Sequence, residues 1–403
     1  MPNQVLDFPD ALAVVLQHAA RITPPASAHD PLSLATSLGR VLAAPIRTPR
    51  DQPPFDRSTR DGYALRAAEL HQPLHLLGLL RAGEHWSGEP LQPGQCLEIM
   101  TGAPLPAGAD AVVMIEHTRL EGATVHVEPG RTLQPGDNVV PRGAEALAAD
   151  ELLSPGHRLD AAALALAANC GRSALAVYRQ PTVALIATGD ELLEAGSPRN
   201  PEPWQIYNSN THGLTALTLA AGGDPRPLPI ARDTLEDLRA RLDEARGSDL
   251  VLFTGGVSMG KYDLVEQALA EAGAEFFFTG ARIQPGKPIV FGRFPTGTYF
   301  FGLPGNPVST EVCFHLFVAP LLRALSGQRP PLAPRFVLAT VSEAFQGRPA
   351  LTRFLPAYLE DTTVRPVAWQ GSGDLAANAR SNCFAVVEPG GLAPGQTAQI
   401  LLR

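Results

Sequence analysis

Three apolar runs, each ending in a short loop of glycine and polar residues, constrain this chain most. They are "TVALIATGDEL" (182–192), "DLVLFTGG" (249–256) and "TYFFGLPGNPVS" (298–309). Between and after them the pattern predicts helices near 209–221, 234–246 and 263–272, and a further helix ending at about 325. Strands buried on both faces read as near-continuous apolar text, and their alternation with helices predicts a mostly parallel sheet with helices on both faces. Residues 181–326 are therefore expected to form an α/β domain. In such sheets ligands sit at the carboxyl ends of the strands, where the three glycine-bearing loops fall.

The rest of the 403 residues is written differently. Apolar positions Leu12, Val15, Leu16 and Ala19 predict a helix over 5–21, and Leu34, Leu38, Val41 and Leu42 predict a second over about 31–44. From about 65 to 140, short apolar pieces such as "CLEIM" and "ATVHVE" alternate with turns such as "LQPGDN", which reads as a β-domain. "LDAAALALAANC" (159–170) reads as a helix stopped by Gly171. A proline-rich linker, "SGQRPPLAP" (326–334), precedes about 70 residues of strand text, expected to form a small β-barrel-like domain. The boundaries follow: 1–50 with 141–180 as an elongated helical domain I, 51–140 as an inserted β-rich domain II, 181–326 as domain III and 327–403 as domain IV.

Composition excludes several classes. The net charge is −8 and no basic helix or stripe is present, which disfavours a nucleic-acid partner. No segment has 18 consecutive apolar residues, so no membrane span is expected. The N-terminus lacks the basic region of a signal peptide, and the four cysteines (Cys96, Cys170, Cys313, Cys383) lie far apart with no CxxC. Free thiols in the cytoplasm are the expectation. Of 32 basic residues only Lys261 and Lys287 are lysines, which singles out "TGGVSMGKYD" (254–263) and "QPGKP" (284–288). A lone lysine among arginines marks a place for a compact ammonium rather than a planar fork.

The loops suggest chemistry without fixing it. Thr254, Gly255, Gly256 and Ser258 suit either a phosphate cradle or a plain tight turn, since glycines let backbone N–H groups approach an anion. The spacing is neither G-x-G-x-x-G nor that of a P-loop. Glu191, Asp233 and Asp263 fall at the same strand ends, where carboxylates beside a phosphate suggest magnesium; singly, each reads equally as a cap or a solvated acid. Pro304 and Gly305 stiffen a loop before a helix, in which Ser309 is an anion contact or a cap, and Lys287 suits an oxyanion.

"FDRSTRDGYA", "MTGAPLPAGADAVV", "ATGDEL", "TGGVSMGKYD", "QPGKP" and "FGLPGNPVS" occur in this order along the whole chain. Together they resemble the molybdopterin molybdenumtransferase family, which includes MoeA and the gephyrin E domain. The resemblance implies a four-domain homodimer with a MogA-like three-layer domain III. It also implies a magnesium-dependent transferase that inserts molybdenum from molybdate into adenylylated molybdopterin and releases AMP. A MogA-type adenylyltransferase and molybdoenzyme acceptors would be its partners. Residue by residue, it implies that Glu191, Asp61 and Asp233 order magnesium or the water around molybdate, with Thr101 brought to the same cleft. It implies Gly255, Gly256 and Ser258 on the phosphate-bearing side of the cofactor, Asp263 on the pterin, Asn210 in a related segment, and Lys287 and Ser309 on oxyanions.

This chain departs from the family pattern in places. Arg57 and Arg60 flank "DGYA", Gln284 stands where the family carries lysine, Ala144 replaces an acid, and Ala376 and Ala377 replace serines. Arg60 is expected to restore the charge missing at Gln284. Two alternatives stay open: a MogA-like molybdopterin adenylyltransferase, and a gephyrin-E-like scaffold. The long N-terminal part and C-terminal β-domain favour the transferase over the first; the absence of a fused domain or disordered linker gives the second no support.

Overall fold

The computed structural model describes residues 4–23, 29–256 and 264–403, in two compact units. The larger comprises residues up to Ala43, Pro155–Asp160 and Ala174–Arg403. Its helix α1 spans Phe8–Ala20 and buries Ala11, Val15 and Ala19, the face read from the sequence. The expected second helix over 31–44 is absent. His29–Ser33 is instead a strand antiparallel to Ala174–Tyr178, followed by one 3-10 turn, Leu34–Thr36. The Ser37 and Thr36 hydroxyls donate to the Ser33 carbonyl at 2.7 and 3.2 Å, so side chains take a backbone acceptor that a helix would need.

The central sheet bears out the α/β expectation. Its strands are β1 (Thr182–Ala187), β2 (Asp224–Pro227), β3 (Leu250–Thr254), β4 (Glu275–Phe278), β5 (Val290–Arg293) and β6 (Tyr299–Leu303). Their order is β2-β1-β3-β6-β5-β4; the first four are parallel, and β5 and β4 add an antiparallel edge. Helices α2 (Asn210–Ala220), α3 (Leu235–Glu244), α4 (Leu264–Glu271) and the long apolar α5 (Pro307–Leu325, α-helical with a π turn at Phe314–Val318) cover it.

Alternation along each strand builds two cores. Val183 and Leu185 of β1 and Leu250 and Leu252 of β3 join one cluster with α1, α2 and α5. Ala184, Ile186, Val251 and Phe253 join the other with Leu238 of α3 and Val265 of α4. Phe291 and Phe301 stack at 4.6 Å within the first cluster. Each such ring stabilises by roughly 1.5–3 kcal/mol through apolar burial. Among the described residues α5 alone is long and apolar enough to cross a membrane, and 78% of its apolar window is buried in this core.

The C-terminal part closes into a five-stranded barrel of Phe336–Val341, Thr352–Glu360, Thr363–Pro366, Cys383–Val387 and Thr397–Leu402. The last strand and a short helix α6 (Leu375–Arg380) were not read from the sequence. Leu355, Ala357, Ala385 and Ile400 fill the barrel, while Phe354, Phe384 and Leu401 face the central core. Ile283–Gln284 extends this sheet, pairing in parallel with Thr352–Arg353.

The smaller unit is Ala44–Ser154 with Ala161–Ser173. Its six-stranded sheet runs from Ala111–Met114 through Gly62–Leu65, Gln95–Ile99, Leu74–Leu80 and Thr124–Val127 to Thr118–Glu121. Tyr63, Leu65 and Val113 enter one core and Ala64 and Val112 the other, the period-2 pattern that a β-domain requires.

Candidate functional site

Two cavities meet at the carboxyl ends of the parallel strands. The first, about 710 Å³, is lined by Thr188, Glu191, Asn210, Asp233, Thr254, Gly255, Gly256, Pro304 and Gly305 among others. Eight sequence-predicted residues, all of these but Thr188, thus share one cleft, which is what parallel strands ending in glycine loops should produce. Ser258, Asp263 and Lys261 lie outside the described residues.

Local structure explains the cleft's shape. Gly255 and Gly256 have φ of +90° and +64°, and a Cβ at Gly255 would stand 2.5 Å from the Thr188 carbonyl. Only glycine allows the end of β3 to pass so close to the end of β1. Asn210 opens α2, and its Nδ2 donates to Thr254 Oγ1 at 2.6 Å and to the Gly305 carbonyl at 2.7 Å. One side chain therefore ties together the ends of β3 and β6 and the start of α2. Asn208, also from "IYNSN", caps that helix instead: its Oδ1 accepts from the Thr211 N–H at 3.2 Å. The Thr188 hydroxyl is buried and has no hydrogen-bond partner among the described residues.

Acids line the rim. Thr188 bridges Ala231 in parallel, and the Gly189 N–H donates to the Ala231 carbonyl at 3.2 Å, so the loops carrying Glu191 and Asp233 run side by side. Both side chains are exposed. Among the described residues, no group of three or more His, Cys, Asp or Glu side chains comes together. Two carboxylates beside a glycine turn fit magnesium by the chemistry of their donors, since that ion commonly takes one or two carboxylates with water and substrate oxygens. Asp61 lies in the smaller unit. There it accepts from the Thr101 N–H at 2.6 Å and the Thr101 hydroxyl at 2.8 Å, and those bonds, in that order, hold its carboxyl below the usual range.

The second cavity, also about 710 Å³, shares Pro288, Pro304 and Asn306 with the first. Lys287, Arg348 and Arg353 line it together with Ser309, Gln284 and Ser372, and no carboxylate among the described residues does. Gly286 (φ +111°) makes the turn that carries Lys287; a Cβ there would meet the Cys313 sulfur at 2.6 Å. Ser309 is 3% exposed, on the first turns of α5. Gln284 pairs in register with Arg353, and the Gln284 Oε1 and Arg353 Nε are buried without partners among the described residues. Burial, and then the neighbouring Arg348, pull the Arg353 guanidinium below its ordinary value. Sequence reading missed both arginines, because 30 arginines carry no local mark. They supply cations in Gln284's own cavity; Arg60 lies in the smaller unit.

Comparison with known proteins agrees with this geometry. The sequence matches the family models described as MoeA N-terminal region (domain I and II) over 6–171, probable molybdopterin binding domain over 184–324, and MoeA C-terminal region (domain IV) over 339–402. It is 34% identical over 384 residues to the molybdopterin molybdenumtransferase of Haemophilus influenzae, covering 92% of each chain. It is 33% identical over 387 residues to that of Bacillus subtilis, covering 92% of this chain and 89% of the relative. The crystal structure of the molybdopterin biosynthesis moeA protein from Pyrococcus horikoshii superposes with a TM-score of 0.83 at 28% identity, covering 99% of this chain and all of that one.

Proposed function

The chain belongs to the molybdopterin molybdenumtransferase family, and from that premise we propose that it transfers molybdenum from molybdate to adenylylated molybdopterin with release of AMP. The observation that carries this reading is the pair of contiguous cavities joined through Pro288, Pro304 and Asn306. One has a glycine cradle with carboxylates on its rim and suits a phosphorylated cofactor. The other has three cationic side chains and, among the described residues, no acid, and suits a small oxyanion.

The chemistry divides accordingly. Water adds to the phosphoanhydride, whose P–O bond breaks so that AMP leaves and molybdopterin keeps its own phosphate. The two dithiolene thiols replace one oxygen of molybdate, which departs as water with their two protons, and molybdenum keeps its oxidation state. Thr254, Gly255, Gly256, Pro304 and Gly305 shape the cofactor's bed, with Asn210 holding those segments in place. Ser258 and Asp263 complete it on the strength of the resemblance. Lys287, Ser309, Arg348 and Arg353 hold molybdate. Magnesium would be held by Glu191 and Asp233 and would offset charge on the phosphates. Positioning and electrostatics account for the rate, since no side chain is arranged as an activated nucleophile among the described residues.

The same reading extends to assembly. The family resemblance supports a homodimer in which Asp61 and Thr101 act as catalytic residues, and the four-domain division at 1–50 with 141–180, 51–140, 181–326 and 327–403. A MogA-type adenylyltransferase would supply the substrate and molybdoenzymes would accept the product. Four buried, unpaired thiols fit the cytoplasm.

Incubation with adenylylated molybdopterin, magnesium and molybdate or tungstate tests the proposal, with AMP and inserted metal measured together. AMP release coupled to metal insertion is expected. Consumption of ATP with molybdopterin would instead identify an adenylyltransferase, and peptide binding without cofactor binding would identify a scaffold.

A further inference from the structure

A third cavity, of about 690 Å³, lies at the other end of α5, lined by residues of α2, α5, the 331–337 segment and the C-terminal strand. Its lining runs from Phe314 to Arg323 along α5, whereas the catalytic cavities touch that helix at Pro307 and Ser309. At 1.5 Å per residue, Ser309 and Arg323 are about 20 Å apart along the axis. This cavity is therefore separate from the site described above.

Its charge is one-sided. Arg158, Arg323 and Arg335 line it, and no Asp or Glu side chain among the described residues does. None of the three forms an ion pair with a described residue. Arg323 Nη1 donates to the carbonyls of Leu332 and Ala333 at 3.2 Å, and Arg158 Nη2 donates to the Ala220 carbonyl at 2.9 Å. Backbone carbonyls thus orient two guanidiniums without neutralising them, and each keeps further N–H donors. Arg403, also on the wall, is already spent: its Nε meets Glu311 at 3.1 Å, and Nη1 donates to the carbonyls of Asn378 and Ser381. Burial pulls Arg323 below the ordinary arginine value, and the charges of Arg158 and Arg335 add to that effect. Three like charges held together in a concave site cost stability unless an anion joins them.

Besides His315 and Gln328, the remaining wall is apolar and includes Leu217, Phe336 and Val337, of which Val337 is 37% exposed. We propose that this cavity is a second ligand site, for a nucleoside phosphate whose phosphate is held by Arg158, Arg323 and Arg335 and whose flat base lies on the apolar wall. Guanidinium forks match phosphate oxygens bidentately, and the volume lies within the roughly 300–1,000 Å³ of small-ligand sites. A ligand there contacts α5 and the last barrel strand together, and so bears on the helix that presents Ser309 to the catalytic cavities.

Photolabelling of the full chain with azido-ADP, followed by peptide mapping, tests this. Label is expected on peptides spanning 314–337 or 401–403, competed by ADP. Arg335 is exposed, so Arg335→Glu should fold normally, and should lower that labelling at least about ten-fold while Arg335→Lys keeps most of it. Should Arg335→Glu unfold, Arg158→Glu gives the same readout from another cation of the cavity. Labelling confined to the 188–210 and 254–307 peptides would overturn the proposal. So would labelling unchanged by both charge reversals, or protection by polyglutamate but not by ADP, which would make the surface a dock for acidic protein.

Discussion

The Asn210 amide lies 2.6 Å from the Thr254 hydroxyl, and the same nitrogen reaches the Gly305 carbonyl at 2.7 Å. The first turn of a helix thereby holds two strand-end loops in register around the cleft. Asn210→Ala removes both bonds, at about 1 kcal/mol each, and is expected to weaken molybdopterin binding roughly ten-fold. Asn210→Asp should be worse, because a carboxylate would face the Gly305 carbonyl. Titration of pterin fluorescence against each variant measures this. Unchanged affinity in both would remove Asn210 from the cofactor's bed.

Gly255→Ala combines positive φ with a Cβ placed 2.5 Å from the Thr188 carbonyl. The left-handed backbone alone costs about 1–2 kcal/mol, and the backbone clash adds to it. Thermal unfolding should shift down by several degrees, and cofactor binding should fall with it. A variant of wild-type stability and affinity would show that β1 and β3 do not approach so closely.

Lys287→Ala and Arg353→Ala each take one cation from the second cavity. Each should weaken molybdate binding about ten-fold, and the double variant should lose most of the salt dependence. Calorimetry with molybdate at two ionic strengths reads both effects. Arg60→Ala tests the compensating charge expected from the sequence: a loss comparable to that of Lys287→Ala supports it, and unchanged affinity removes Arg60 from the oxyanion's surroundings.

Glu191→Ala leaves Asp233 as the only one of the two rim carboxylates. AMP release should fall sharply and require more magnesium, as expected when one of two oxygen donors is lost. Turnover with an unaltered magnesium requirement would take Glu191 out of the reaction.

Asp249 accepts from both Arg179 Nη groups at 2.6 Å, and from the Thr182 N–H at 2.8 Å, at the start of β1 and β3. Burial pushes its carboxyl up, but Arg179 and Thr182 outweigh that and hold it below the usual range. A depressed folded value stabilises the protein above the unfolded carboxylate range, and that stability is lost as pH falls through the folded value. Asp249→Asn should therefore cost roughly 1.5–3 kcal/mol at neutral pH and flatten the acid limb of a denaturation profile. An acid limb identical to wild type would contradict it.

Much of the fold was legible because periodicity is a local property of the chain. The apolar runs ending at Thr188, Thr254 and Leu303 became parallel strands, and their glycine loops converged on one cleft, as strand direction requires. The segment 31–44 misled: its leucine spacing was helical, but the hydroxyls of Thr36 and Ser37 and a distant strand at Ala174–Tyr178 competed for the backbone. The final strand, Thr397–Leu402, was missed because what marks it is barrel closure, not its own text.

By itself, the sequence determined the strand–loop–helix grammar of the central domain, the glycines that the cleft demands, and the ordered motifs that mark the family. Only the tertiary structure decided which cations share a cavity. Arg348 and Arg353 stand beside Lys287 because Ile283–Gln284 pairs with Thr352–Arg353 across nearly 70 residues of chain. Arg158, Arg323 and Arg335 likewise meet only through folding. Charge acts through space, whereas a sequence reports only neighbours along the chain; an arginine's role becomes readable when the fold fixes what stands opposite it.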